Sequence, residues 1–90
     1  MFVACTPDAR AAAFSVTRLL RAAGIRTEAD YQGRSLKGQF KLADKIGSRV
    51  VVVLGSDEVA AGGATVRDMQ THEQTLVPLD QLAEVVASKL

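Results

Sequence analysis

Val50-Val51-Val52-Val53-Leu54 is five aliphatic residues in succession, four of them β-branched. A strand with one face in water alternates apolar and polar residues. An unbroken aliphatic run instead marks a strand covered on both faces, as in the centre of an α/β sheet. Gly55-Ser56-Asp57-Glu58 breaks the run on its C-terminal side and Gly47-Ser48 precedes it. Working outward, Phe2 to Cys5 is a second short apolar run and reads as another buried strand. Thr27 to Asp30 is more polar and fits a sheet edge. Ala64 to Met69 and Gln74 to Val77 read as two further strands, joined by a turn over Gln70 to Glu73.

Helices fill the gaps. Thr6-Pro7-Asp8 is a start signal: a hydroxyl that caps, a proline suited to the first helical position, and an acid beside the helix N-terminus. Ala12, Val16, Leu19, Leu20 and Ala23 recur at helical spacing and are the expected buried stripe, with Gly24 as the stop. Tyr31 to Arg34 is a turn. Ser35 caps a second helix running to about Ile46, with Leu36, Phe40, Ala43 and Ile46 inward, and Gly47 ends it. Pro78 and Leu79 open a last helix with Leu79, Leu82, Val86 and Leu90 on its apolar side. The order β-α-β-α-β-β-β-α predicts parallel pairing with right-handed crossovers in the first half and an antiparallel hairpin in the second.

Ninety residues make one small domain with a single core. The apolar fraction of 48% suits a folded chain, and no stretch approaches the length of a membrane span. No secretory signal pattern follows Met1, and the single Cys5 allows no intrachain disulfide, which fits a reducing compartment. The net charge of +1 names no partner. Its distribution says more. Arg34 to Arg49 holds five cations and one acid, and the remainder holds six cations and nine acids. One element is therefore basic in a neutral chain.

Chemistry is also read by what is missing. One His and one Cys make no metal site, and there is no dinucleotide or phosphate-binding glycine loop. The first strand ends in Cys5-Thr6 and lacks the clustered acids of a receiver domain. The carboxyl ends of the strands, where open α/β sheets bind ligands, carry Cys5-Thr6, Tyr31 to Ser35 and Gly55 to Glu58. That mixture of an aromatic ring, a cation, hydroxyls and carboxylates suits an unstacked nucleic-acid base. Blander readings stand beside it. Lys37, Lys41 and Lys45 make an ordinary solvated helix face, Tyr31 packs on the sheet edge, and Asp57 and Glu58 cap a short helical turn. Arg67 is then a solvent-facing strand residue, Cys5 a small buried apolar one, and His72 a turn residue that tolerates unusual backbone angles.

The run from Tyr31 to Gly47, YQGRSLKGQFKLADKIG, closely resembles the C-terminal domain of bacterial histidyl-tRNA synthetases. So do VVVVLGSDE at Val50–Glu58, VRDM at Val66–Met69 and EQTLVPLDQL at Glu73–Leu82. Related domains occur in the threonyl, prolyl and glycyl enzymes. The resemblance implies an α/β fold of three layers, α/β/α, around a mixed five-stranded sheet in the order 2-1-3-4-5 with strand 4 antiparallel. It implies recognition of the anticodon loop of histidine tRNA, with contacts at Arg34, Ser35, Glu58 and Arg67. Tyr31, Lys37, Lys41, Lys45 and Asp57 are neighbours in the same role. His72 departs from the glycine that many relatives carry in the hairpin turn, a change expected to affect turn geometry rather than binding.

No class II catalytic motif is present, so the domain itself needs no cofactor and performs no catalysis. A parent synthetase would use ATP and Mg, dimerise, work in the cytoplasm and supply the catalytic domain as partner, with neither membrane nor DNA involved. Whether the chain is excised from such a parent or is a stand-alone paralogue stays open. Two other classes also remain: a regulator or adaptor that uses the same sheet for protein contacts, and a small-molecule-binding α/β domain.

Overall fold

The computed structural model describes residues 1–29, 33 and 35–90. Strands β1 (Phe2–Cys5), β2 (Glu28–Ala29), β3 (Val50–Leu54), β4 (Gly63–Asp68) and β5 (Gln74–Pro78) form one sheet in the order β2-β1-β3-β4-β5. β1 runs parallel to β2 and β3, while β4 is antiparallel to β3 and β5. The valine-rich β3 lies in the middle, as its composition demands. Helices α1 (Arg10–Ala22) and α4 (Leu82–Lys89) cover one face, and α2 (Leu36–Lys45) lies on the other. A short helix, α3 (Ser56–Ala60), fills the connection from β3 to β4.

Side-chain alternation divides β3 between two cores. Val50, Val52 and Leu54 join Val3, Ala13, Val16, Leu20, Ala64, Val66, Leu82 and Val86 beneath α1 and α4. Val51 points the other way and packs with Phe2, Ala4 and Ala43, with Phe40, Val53 and Met69 partly buried alongside. The first core is the larger, with fourteen buried residues against four among the described ones.

Several expectations from periodicity shift by one position. The buried stripe of α1 is Ala13, Val16, Thr17 and Leu20, while Leu19 is 45% exposed. Thr17 can be buried because its hydroxyl donates to the Ala13 carbonyl at 2.8 Å, satisfying its polar group within the helix. On α2 the inward residues include Gln39 as well as Ala43, and Ile46 is exposed. Leu90 is exposed too, because α4 ends at Lys89.

Thr6 does not cap through its side chain. Its hydroxyl donates to the Asp8 carboxylate, and a 3-10 turn over Pro7–Ala9 leads into α1. β4 starts one residue earlier than the alternation predicts, at Gly63, and a 3-10 turn over Leu79–Gln81 separates Pro78 from α4. Gly24 and Gly47 stop their helices as expected, with φ of +83° and +74°.

The burial of Gln39 has a structural cause. β2 pairs with Phe2 and Val3 only, so the outer backbone groups of Cys5 lie beyond its reach. The Gln39 amide replaces the missing strand. Its Oε1 accepts from the Cys5 N–H at 2.9 Å and its Nε2 donates to the Cys5 carbonyl at 2.8 Å. These two bonds anchor α2 over the β2 side of β1.

Candidate nucleic-acid interface

The position of α2 decides which part of the sheet stays open. At about 100° per residue, Lys37 and Lys41 lie roughly opposite Gln39 on the helix circumference. Gln39 is tied to β1 on its β2 side, so the lysines point away from that attachment, while Phe40 faces Arg67 of β4. Both lysines are exposed, as is Lys45. Among the described residues, the buried cluster on this face takes its helix residues from α2 alone, and the β4–β5 part of the face lies beyond it. Register identifies what that part displays. Thr65 and Arg67 of β4 stand beside Val53 and Val51, and Leu76 and Gln74 of β5 stand beside Thr65 and Arg67. Thr65 and Arg67 are half-buried, and Gln74 and Leu76 are exposed.

Arg67 is the centre of this surface. Its guanidinium carbon lies 5.2 Å from the centroid of the Phe40 ring, a cation–π arrangement. Nη1 donates to Gln74 Oε1 at 3.4 Å, and Nη2 lies 3.2 Å from His72 Nδ1. Nε is buried and is the one such side-chain atom without a hydrogen-bond partner among the described residues. A guanidinium has five N–H donors. With one bond each from Nη1 and Nη2, one N–H remains on each terminal nitrogen for an incoming acceptor.

Glu58 borders the same surface from α3. Its Oε1 accepts from the Gly55 N–H at 2.8 Å, which caps the helix start. Its Oε2 accepts from the Thr65 hydroxyl at 3.3 Å, across to β4. The approach is close: a Cβ at Gly55 would lie 2.9 Å from Glu58 Oε1, and the carboxylate would have to shift to admit it. The capping role and the place on the open face therefore belong to one half-buried carboxylate. Asp57, one residue earlier, is exposed in the first turn of α3.

The remaining sequence candidates fall as follows. Ser35 is exposed and caps α2, its Oγ accepting from the Gly38 N–H at 3.2 Å. Arg34 and Tyr31 lie outside the described residues. Of the residues expected beyond the carboxyl ends of the parallel strands, Glu58 borders this surface. Arg67 sits lower, beside Val51 in the first half of β3, because β4 runs antiparallel. Phe40, Gln74 and Thr65 were missed by motif reading. Their placement on this surface comes from cross-strand register and from the position of α2, neither of which has a local signal.

A separate cavity of about 250 Å³ lies on the other face, between α1 and the β1–β2 edge, lined by Val3, Cys5, Arg10, Phe14, Arg18 and Arg21. Arg21 there donates twice to the Thr27 carbonyl, at 3.2 and 2.9 Å. The cavity is smaller than the roughly 300–1,000 Å³ of most small-molecule sites. Among the described residues no cluster of His, Cys, Asp and Glu could hold a metal ion, and no helix is long and apolar enough to cross a membrane.

A family model described as the anticodon binding domain matches residues 1–89. The chain belongs to that family. This anticodon-binding domain is 46% identical over 72 residues to a histidine–tRNA ligase of Bacillus velezensis, covering 80% of the chain and 17% of the relative. It is 52% identical over 68 residues to one from Anaeromyxobacter sp., covering 76% and 16%. Among solved structures it superposes on histidyl-tRNA synthetase from Nostoc with a TM-score of 0.88 at 34% identity, covering 97% of the chain and 21% of that structure. The RNA-binding domain of a threonyl-tRNA synthetase from Cryptosporidium parvum gives the same TM-score at 24% identity, covering 98% and 22%, a likeness of fold. The chain thus spans about one fifth of the length of the relatives it matches. The expected three-layer architecture and the strand order 2-1-3-4-5 agree with these structures.

Proposed function

We propose that this anticodon-binding domain reads the anticodon loop of histidine tRNA on behalf of a histidine–tRNA ligase. The observation that carries the reading is the open half of the α2-side face. There Arg67, held over Phe40, keeps two terminal N–H groups for an acceptor and lies on the same face as Thr65 and its partner Glu58. Similarity to histidine–tRNA ligases supports the choice of tRNA.

Roles divide by chemistry. Arg67 offers bidentate donation to a base edge or phosphate, and the guanidinium face turned away from Phe40 is a stacking surface for an unpaired base. Glu58 accepts from a base amino group with the lone pairs left over from Gly55 and Thr65. Lys37, Lys41 and Lys45 contact phosphates and position the stem. Ser35 and Asp57 are further polar contacts, and Arg34 and Tyr31 are assigned the same role by resemblance alone. Catalysis, with ATP and Mg, belongs to the rest of a longer protein. That protein would be a cytoplasmic dimer whose catalytic domain is this domain's partner.

The test is binding of a histidine-tRNA anticodon stem-loop carrying GUG, against the same hairpin with a scrambled loop, at two salt concentrations. The GUG hairpin is expected to bind more tightly at both, with both affinities falling as salt rises. Equal binding of the two hairpins would reduce the surface to an electrostatic platform. Absence of binding to either would remove the reading.

A further inference from the structure

We infer that His72 is a positioning residue for Arg67, and that the β4–β5 hairpin is built to deliver its ring. This rests on the proposal that Arg67 contacts RNA. The turn is braced before His72 is reached. The Asp68 carboxylate accepts from the N–H groups of Gln70 and Thr71 at 2.8 and 3.2 Å, and the Thr71 hydroxyl accepts from the Glu73 N–H at 3.3 Å. The Asp68 carbonyl takes the His72 N–H at 2.7 Å, and the Glu73 carbonyl takes the Asp68 N–H at 2.9 Å. This bracing holds His72 at φ +65°, the only non-glycine residue with positive φ among those described.

A glycine would occupy that backbone without penalty, and a side chain there is tolerated at a cost. The side chain that is present does something a glycine cannot. It reaches back five residues to Arg67 Nη2, with Nδ1 at 3.2 Å. Arg67 carries only donors, so a hydrogen bond at this contact requires Nδ1 as the acceptor, the tautomer with the ring proton on Nε2. With Gln74 on Nη1 and Phe40 beneath, His72 is the third restraint on the guanidinium. It fixes which N–H of Nη2 stays available. Preorganised donors recognise a bidentate acceptor more tightly than free ones, because less side-chain freedom is lost on binding.

Two variants separate this role from turn formation. His72→Gly keeps the left-handed backbone and removes the acceptor. His72→Asn tolerates the same backbone and places Oδ1 where Nδ1 was. The first readout needs no RNA: the side-chain Nε–H resonance of Arg67, followed by 15N relaxation in the free 90-residue chain. It is expected to be rigid in the parent sequence and in His72→Asn, and mobile in His72→Gly.

The second readout is affinity for the GUG hairpin, expected to fall about three- to tenfold in His72→Gly and to recover in His72→Asn. Thermal unfolding of both variants checks that the hairpin persists. Unchanged Arg67 relaxation in His72→Gly overturns the inference whatever the RNA result. Mobile Arg67 with unchanged affinity overturns its role in recognition, provided Arg67→Ala does weaken binding. If Arg67→Ala binds GUG as well as the parent chain, it is the reading of Arg67 as an RNA contact that fails.

Discussion

The two faces of the sheet are built on different terms. Under α1 and α4 the strands are sealed by a continuous aliphatic layer, in which Leu20, Leu54, Leu82 and Val86 are at most 1% exposed. On the other side α2 covers β1 and β3 and stops, leaving Gln74 and Leu76 exposed and Thr65 and Arg67 half-buried. The closed face is where burial of apolar area stabilises the chain. The open face holds a half-buried cation and carboxylate whose hydrogen bonds are partly unfilled. A small domain can hold a binding surface this polar because the opposite face supplies most of its core.

The comparison is most easily broken by a cavity on the closed face. Leu82→Ala is expected to cost about 2–5 kcal/mol in denaturant unfolding, with little change in RNA affinity for the molecules that stay folded. A cost under about 1 kcal/mol would mean that the closed face is not the seat of stability. The reverse pattern is expected of Arg67→Ala. Hairpin affinity should fall by about 1.5–3 kcal/mol, roughly ten- to a hundredfold, while unfolding free energy moves by less than about 1 kcal/mol, since the change also removes an unpartnered buried Nε. A large loss of stability there would make Arg67 part of the core.

Smaller effects sharpen the picture. Lys37→Gln should weaken GUG and scrambled hairpins alike, and reduce the slope of log affinity against log salt by about 0.7–0.9. A change in discrimination instead would turn Lys37 into a base contact. The smallest effect concerns acid. Backbone donors from Gln70 and Thr71 hold the Asp68 carboxyl below the usual carboxylate range. A depressed value in the folded state contributes stability that is present above the ordinary range and lost as pH falls through the folded value. Amide signals of Gln70 to Glu73 should therefore lose protection only below about pH 4, ahead of the core. Asp68→Asn, which keeps the acceptor without the titration, should remove that step. Loss of the core first would place the acid-sensitive group elsewhere.

Sequence alone reached far into the fold. The valine run at Val50–Leu54 set the central strand, and the order of elements set parallel and antiparallel halves. Ser35 as a cap and the exposed lysines of α2 were equally readable, because capping and helical spacing act within a few residues. Where reading failed, the missing term was tertiary. Leu19 looked buried by apolarity, and Thr17 took its place through a bond to Ala13. Gln39 was not among the residues expected inward on α2, and it is buried because the short reach of β2 leaves Cys5 in need of it.

The same division runs through the candidate surface. The basic character of α2 and the presence of Glu58 and Arg67 are properties of the chain as written. That Arg67 lies on Phe40, with His72 and Gln74 on its nitrogens and Glu58 on the same face, is decided only by folding. Phe40 and Arg67 are brought together by the register of β4 on β3 and by the tether of Gln39 to β1. Periodicity and capping are short-range and leave a trace in neighbouring residues. Contact across a sheet depends on how strands pair and where a helix comes to rest, and no run of adjacent residues carries that information.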